Sequence, residues 1–227
     1  MKNILYIFSF LLATVAIAQT TSSIEFEKQK LKQAKVYGDK AVMASTMYSI
    51  IAFEGPKSSY KDSLAYLYYD QRNYISCFLV TNDILKRNPE NLELLELKAI
   101  SLESMGALEK AKEAYVVLSK KTSNNYHWYK LAEIQLRMNK NEDAYVSIKK
   151  ADQLVDTGNL KITYQVNKNY NQNIELKAAI AYLEGLVAIN LEKNNEAKIS
   201  FERALKLVPD FVLAKGKLTS LEPVKEE

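Results

Sequence analysis

Residues 128–151 read WYKLAEIQLRMNKNEDAYVSIKKA. Trp128, Leu131, Ala132, Ile134 and Leu136 recur at helical spacing rather than alternating as in a strand. Asn139-Lys140-Asn141 breaks the pattern with turn-forming residues. Ala144, Tyr145, Ile148 and Ala151 then mark one face of a second helix. The small side chains of Ala132, Ala144 and Ala151 let two backbones approach closely, and Trp128 fills the wider gap beside them. Two helices alone leave much of this apolar surface uncovered, so the hairpin needs neighbours of its own kind.

Those neighbours are present in the same frame. One unit upstream stand Leu95, Ala99, Leu102, Gly106, Ala111, Tyr115 and Leu118; a further unit upstream stand Leu64, Ala65, Tyr68, Tyr74, Cys77 and Pro89. Downstream the frame holds Gly185, Ala197, Phe201, Ala204 and Pro209. The small second-helix residue steps from Cys77 to Ala111 to Ala144, intervals of 34 and 33 residues. The chain therefore resembles tetratricopeptide repeat proteins, whose unit is W-x2-L-G-x2-Y…A-x3-F…P. No unit carries the whole motif: the Trp128 unit has Ile148 in the aromatic slot and no terminal Pro, and the last unit has Glu184 in the usual Leu slot. Two-helix repeats of longer period are the alternative.

The resemblance implies an all-α, right-handed solenoid of about five helix-turn-helix hairpins with a C-terminal capping helix and one non-helical insertion. Its parts are a degenerate first repeat (24–56), repeats at 57–90, 91–124, 125–156 and 174–209, an insertion at 157–173 and a cap at 210–222. The insertion is where the rhythm breaks, since 53 residues separate Ala144 from Ala197. Within it Leu160, Ile162, Tyr164 and Val166 alternate with polar residues, a strand-like period. No second strand of comparable quality is visible, so a surface loop packed through Leu160 or Tyr164 is expected. The sharper alternative is a protruding segment that pairs with a partner's sheet edge.

Composition narrows the class. Net charge is +4, or +3 once Lys2 is removed with a leader (30 − 27), too mild to point to nucleic acid. Residues 1–18 read as a signal peptide: Lys2 supplies the positive end, Ile4–Leu12 the apolar run and Ala16-Ile17-Ala18 the cleavage site before Gln19. Export to a bacterial periplasm or beyond is expected, with no stable membrane span after cleavage; an uncleaved anchor is the other reading. Cys77 is the sole cysteine and sits in a packing slot. His127 is the sole histidine and lacks a nearby His or Cys to complete a site. Asp152 and Asp156 are too few for a calcium or magnesium site. The isolated glycines form no phosphate-cradling loop, and no catalytic motif is present. No enzyme, cofactor or metal is expected.

The resemblance also implies where a partner binds: the concave face, lined by the first helix of each hairpin. Carried over slot by slot, that face holds Asp62, Tyr66 and Tyr69, then Glu96, Ile100 and Glu103, then Tyr129, Glu133 and Arg137, then Tyr182 and Leu186. Tyrosines are rigid anchors, and glutamates favour a basic or hydrogen-bond-donating protein segment. The same tyrosines also fit packing between repeats. The family's carboxylate clamp for chaperone tails is not expected, because its slots hold Asp62, Tyr66, Leu97, Tyr126 and Lys130, with one cation among them. A non-enzymatic interaction scaffold results. The alternative is a structural subunit of a cell-envelope complex, docked through the insertion or the ends of the repeat series.

Overall fold

The computed structural model describes residues 23–155 and 160–221. The leader expected at 1–18, and Asp156 with the start of the insertion, lie outside them. Eleven helices and two strands follow in order: α1 (23–37), α2 (Lys40–Glu54), α3 (Tyr60–Asp70), α4 (Tyr74–Leu85), α5 (Leu92–Ser104), α6 (Leu108–Thr122), α7 (Asn125–Arg137), α8 (Asn141–Gln153), β1 (Lys161–Asn167), β2 (Tyr170–Glu175), α9 (Leu176–Asn190), α10 (Asn194–Leu207) and α11 (Val212–Ser220). The first ten helices form five helix-turn-helix pairs. The chain divides into two compact units, Met1–Ser101 and Leu102–Glu227.

One turn geometry joins the helices of every pair. A residue in the left-handed region stands at Gly38, Arg72, Gly106, Asn139 and Glu192, with φ of 66°, 57°, 76°, 58° and 59°, at intervals of 34, 34, 33 and 53 residues. The N–H of the next residue reaches back 2.9 Å to a carbonyl of the first helix: Asp39 to Ala34, Asn73 to Tyr68, Ala107 to Leu102, Lys140 to Gln135 and Lys193 to Ala188. This turn satisfies the last carbonyls of the first helix and stops it. Asp39 and Asn73 then cap the second helix, accepting from the N–H of Val42 at 3.0 Å and of Ser76 at 3.3 Å.

The first unit closes over Leu31, Met47, Ile50, Leu64, Ala65, Leu67, Tyr68, Cys77, Leu94 and Leu97. The core of the second runs from Tyr129, Ala132, Ile148 and Ala151 through most of α9 to Phe201, Phe211 and Ala214. Gly185 sets the approach of α10 to α9: a Cβ there would lie 2.7 Å from Phe201 Cδ1. Trp128, expected to fill a core gap, is half-buried and packs on the rim of the second core.

The insertion packs on the core through Tyr164 as expected, but as a strand hairpin rather than a loop. Tyr170–Glu175 supplies the second strand that the sequence hides, pairing antiparallel with β1 in the register Ile162↔Ile174 and Tyr164↔Gln172. Only Gln172 and Ile174 of β2 point inward and are buried, which is too little alternation to read in YNQNIE.

Candidate functional site

In the first unit the candidate residues meet on α3 and α5. Asp62, Tyr66 and Tyr69 are four and three residues apart and share one face of α3. Tyr66 is 43% and Tyr69 37% exposed. Tyr66 donates its hydroxyl proton to Glu93 Oε2 at 3.1 Å. Its phenol is pushed up by burial first, then by that bond and by the charges of Glu93, Asp62 and Glu96. Three carboxylates thus act on one exposed phenol. Tyr69 is raised by burial and, more weakly, by Tyr74 and Glu96, and Asp62 by burial. Asp62 and Glu93 make no ion pair among the described residues. Glu93 was missed from the sequence because it lies in the first turn of α5, which carries no repeat landmark. Ile100 lies half-buried one turn beyond Glu96.

In the second unit the candidates separate into two groups. Glu103 and Glu133 are joined by Lys130, whose ammonium donates to Glu103 Oε1 at 2.8 Å and also to Glu133. Arg137 Nη1 donates to the same Glu103 oxygen at 3.2 Å. The Lys130 and Glu103 side chains are each 14% exposed. Burial alone would pull the Lys130 ammonium down, but Glu133 and Glu103 outweigh it and leave it raised. The one cation that fitted the carboxylate-clamp slots is therefore already engaged inside the chain.

Tyr129 and Tyr182 do not lie on an open face, contrary to the expectation from the repeat slots. They are 2% and 6% exposed. The hairpin covers them. Tyr164 of β1 places its hydroxyl 3.1 Å from that of Tyr129 and meets the Tyr182 ring edge-on at a centroid distance of 5.4 Å. It also lies 5.3 Å from the Phe211 ring. Burial, before any other cause, pushes both the Tyr129 and Tyr164 phenols well up. Gln172 of β2 holds the other side: its amide nitrogen donates to Asp210 O at 2.7 Å and its oxygen accepts from Val212 N–H at 3.1 Å, at the start of α11. Leu186 packs half-buried against the same core.

The remaining reactive residues are accounted for by packing. Glu184, in the slot where the repeat usually has Leu, is buried but paired with Lys149 at 2.9 Å and with Arg203, which also bonds Asp152 at 2.7 Å. Asp152 is thereby engaged by a cation. Cys77 is buried, and burial pushes its thiol up. His127 is buried with Nδ1 2.7 Å from Thr122 Oγ1. Among the described residues no group of His, Cys, Asp and Glu is placed to hold a metal. No described helix is long and apolar enough to cross a membrane.

Solved structures match these paired helices and their repeating turn. YrrB, described as a TPR protein with an unusual peptide-binding site, superposes with a TM-score of 0.65 at 12% identity, over 87% of this chain and 96% of its own. The fold is that of the tetratricopeptide repeat proteins. A MamA crystal structure matches at TM-score 0.56 and 18% identity over 70% of this chain and 82% of its own. MamA from residue 41 onward, from Desulfovibrio magneticus RS-1, matches at 0.63 and 10% over 83% and 97%. No protein-family model matches the sequence, and no curated protein does. Within this tetratricopeptide fold, α3, α5, α7 and α9 are first helices of their pairs. Among their tyrosines, Tyr66 and Tyr69 are open in the first unit, and Tyr129 and Tyr182 are covered in the second.

Proposed function

We propose that the protein is a non-enzymatic, exported scaffold that binds a protein segment on the first-helix face of its first unit. The observation that carries this reading is Tyr66: an exposed aromatic anchor ringed by Asp62, Glu93 and Glu96, beside a second exposed tyrosine, Tyr69. Such a surface suits an extended segment with Lys or Arg, which offers hydrogen-bond donors to the carboxylates and an aliphatic stem to the rings. Export is supported by the leader-like pattern of residues 1–18, and a mature chain beginning at Gln19 in the extracytoplasmic fraction is the expected mass-spectrometric result.

The binding reading is tested by titrating the full chain with Lys/Arg-containing synthetic peptides against Asp/Glu-containing controls. Cationic peptides are expected to bind, more weakly as salt is raised. Tyr66→Ala with Tyr69→Ala is expected to weaken binding at least about tenfold, as loss of an anchor does. Binding indifferent to peptide charge, or intact in the double variant, refutes the assignment. A second reading, an assembly subunit docked through the insertion, draws on the outward side of the hairpin. Lys161, Thr163, Gln165, Asn171 and Asn173 are exposed there, and pull-downs with these residues changed to Ala separate it from the first.

A further inference from the structure

The hairpin is an added layer on the second unit rather than part of its helical stack. The α8–α9–α10 junction is held directly, by Lys149 to Glu184, Arg203 to Asp152, and Tyr145 to Glu196 at 2.6 Å. Apart from Leu176 N–H to Leu160 O at the hairpin's own base, no backbone–backbone hydrogen bond joins it to a helix among the described residues. Beyond the direct run of β2 into α9 at Glu175–Leu176, its hold on the helices comes from side chains: Tyr164, Ile162 and Ile174 on the core, and the paired bonds of Gln172. A two-stranded hairpin is marginal by itself, so β1, which meets the helices through side chains, opens more easily than the helices beneath it.

What it covers has the form of a ligand site. Tyr129, Tyr182 and Phe211 surround a single side chain, Tyr164; the Tyr182 and Phe211 rings are 4.9 Å apart, and Tyr129 offers the one hydroxyl within reach of the guest phenol. The guest arrives on an extended strand whose half-buried residues are Ile162, Tyr164 and Val166, the first two packed on the core. We infer that the second unit carries a tyrosine-binding cradle, specific for an extended apolar-x-Tyr-x-apolar segment, and that the chain's own hairpin is its resident ligand. A partner strand of the same pattern reaches the cradle only by displacing β1. The unit's binding face is thereby kept shut in the free protein. This inference does not rest on the open face of the first unit.

The test replaces residues 161–173 with a Gly/Ser linker and titrates the chain with a fluorescein-labelled peptide spanning residues 160–175. Saturable binding is expected to the shortened chain and at least a hundredfold weaker binding to the intact one. A peptide with Tyr164→Phe is expected to bind about tenfold more weakly, through loss of the hydroxyl contact. A shortened chain with intact helical circular dichroism that binds no peptide overturns the inference. Native-state hydrogen exchange on the intact chain decides independently, whether or not the shortened chain folds. Amides of β1 and β2 are expected to be at least a hundredfold less protected than those of α9, and equal protection in hairpin and helix overturns the inference.

Discussion

The first helices of the two units carry similar residues to opposite ends. On α3, Tyr66 and Tyr69 stand exposed among carboxylates. On α7 and α9, Tyr129 and Tyr182 stand ten residues before the turn, the slot that Asp62 holds on α3, and are covered by Tyr164. The charges differ in the same sense. Glu103, Glu133, Lys130 and Arg137 neutralise one another in the second unit, whereas Asp62 and Glu93 keep no ion pair among the described residues. A slot in a repeat therefore does not define a binding surface. What defines it is whether some other part of the chain has already taken the slot.

The largest test of that contrast is Tyr164→Ala. Removing a buried aromatic ordinarily costs about 3–5 kcal/mol. A loss near the low end, about 3 kcal/mol, is expected in urea denaturation of the second unit, because an undocked hairpin leaves the helices folded. The matching change Tyr66→Ala is expected to alter stability by less than about 0.5 kcal/mol, as surface substitutions do. Equal losses for the two would erase the distinction between covered and open tyrosines.

Gly185→Ala comes next. Its new methyl group would press on the fully buried Phe201 ring, and overpacking of this kind costs about 1–3 kcal/mol. The effect is expected as a lower urea-denaturation midpoint of the full chain. Gly216→Ala, with open space around its Cβ position, is the control and is expected to be neutral or mildly stabilising through helix propensity.

Alkaline titration sharpens the comparison further. The phenols of Tyr129 and Tyr164 are raised by burial, so the folded unit keeps their protons after an unfolded chain has lost them. Their contribution to stability is complete below the ordinary tyrosine value of about 10 and falls above it, by up to about 1.4 kcal/mol per pH unit for each phenol. Denaturation midpoints measured from pH 9 to 11 are expected to drop more steeply for the second unit than for the first. There, Tyr68 is pushed up to about 12 by burial and its bond to Tyr48, and the more exposed Tyr66 and Tyr69 are raised as well. Tyr129→Phe with Tyr164→Phe is expected to flatten the steeper slope. The smallest expected effect is that of Tyr66→Phe: it loses one exposed bond to Glu93, and a change of no more than about 0.5 kcal/mol in stability is expected.

The sequence by itself determined the helices, because their signals are local. Apolar spacing, the small residues Ala111, Ala144 and Ala197, and the breaks at Pro89 and Pro209 are each read within a single repeat unit. The turns were partly legible: Gly38, Gly106 and Asn139 announce a left-handed residue, while Arg72 and Glu192 adopt the same conformation without a telling side chain. The shared face of Asp62, Tyr66 and Tyr69 was also legible, since helical phase alone sets it, whereas Glu93 on the neighbouring helix was not. Only the tertiary structure decided the rest of the candidate site. The fate of Tyr129 and Tyr182 depends on Tyr164, 35 and 18 residues away along the chain, on a hairpin whose second strand is nearly all polar. No periodicity encodes a contact between an insertion and the helices it folds back upon. That contact follows from which buried aromatic surface the hairpin can cover, and this exists only once α7, α9 and Phe211 have come together.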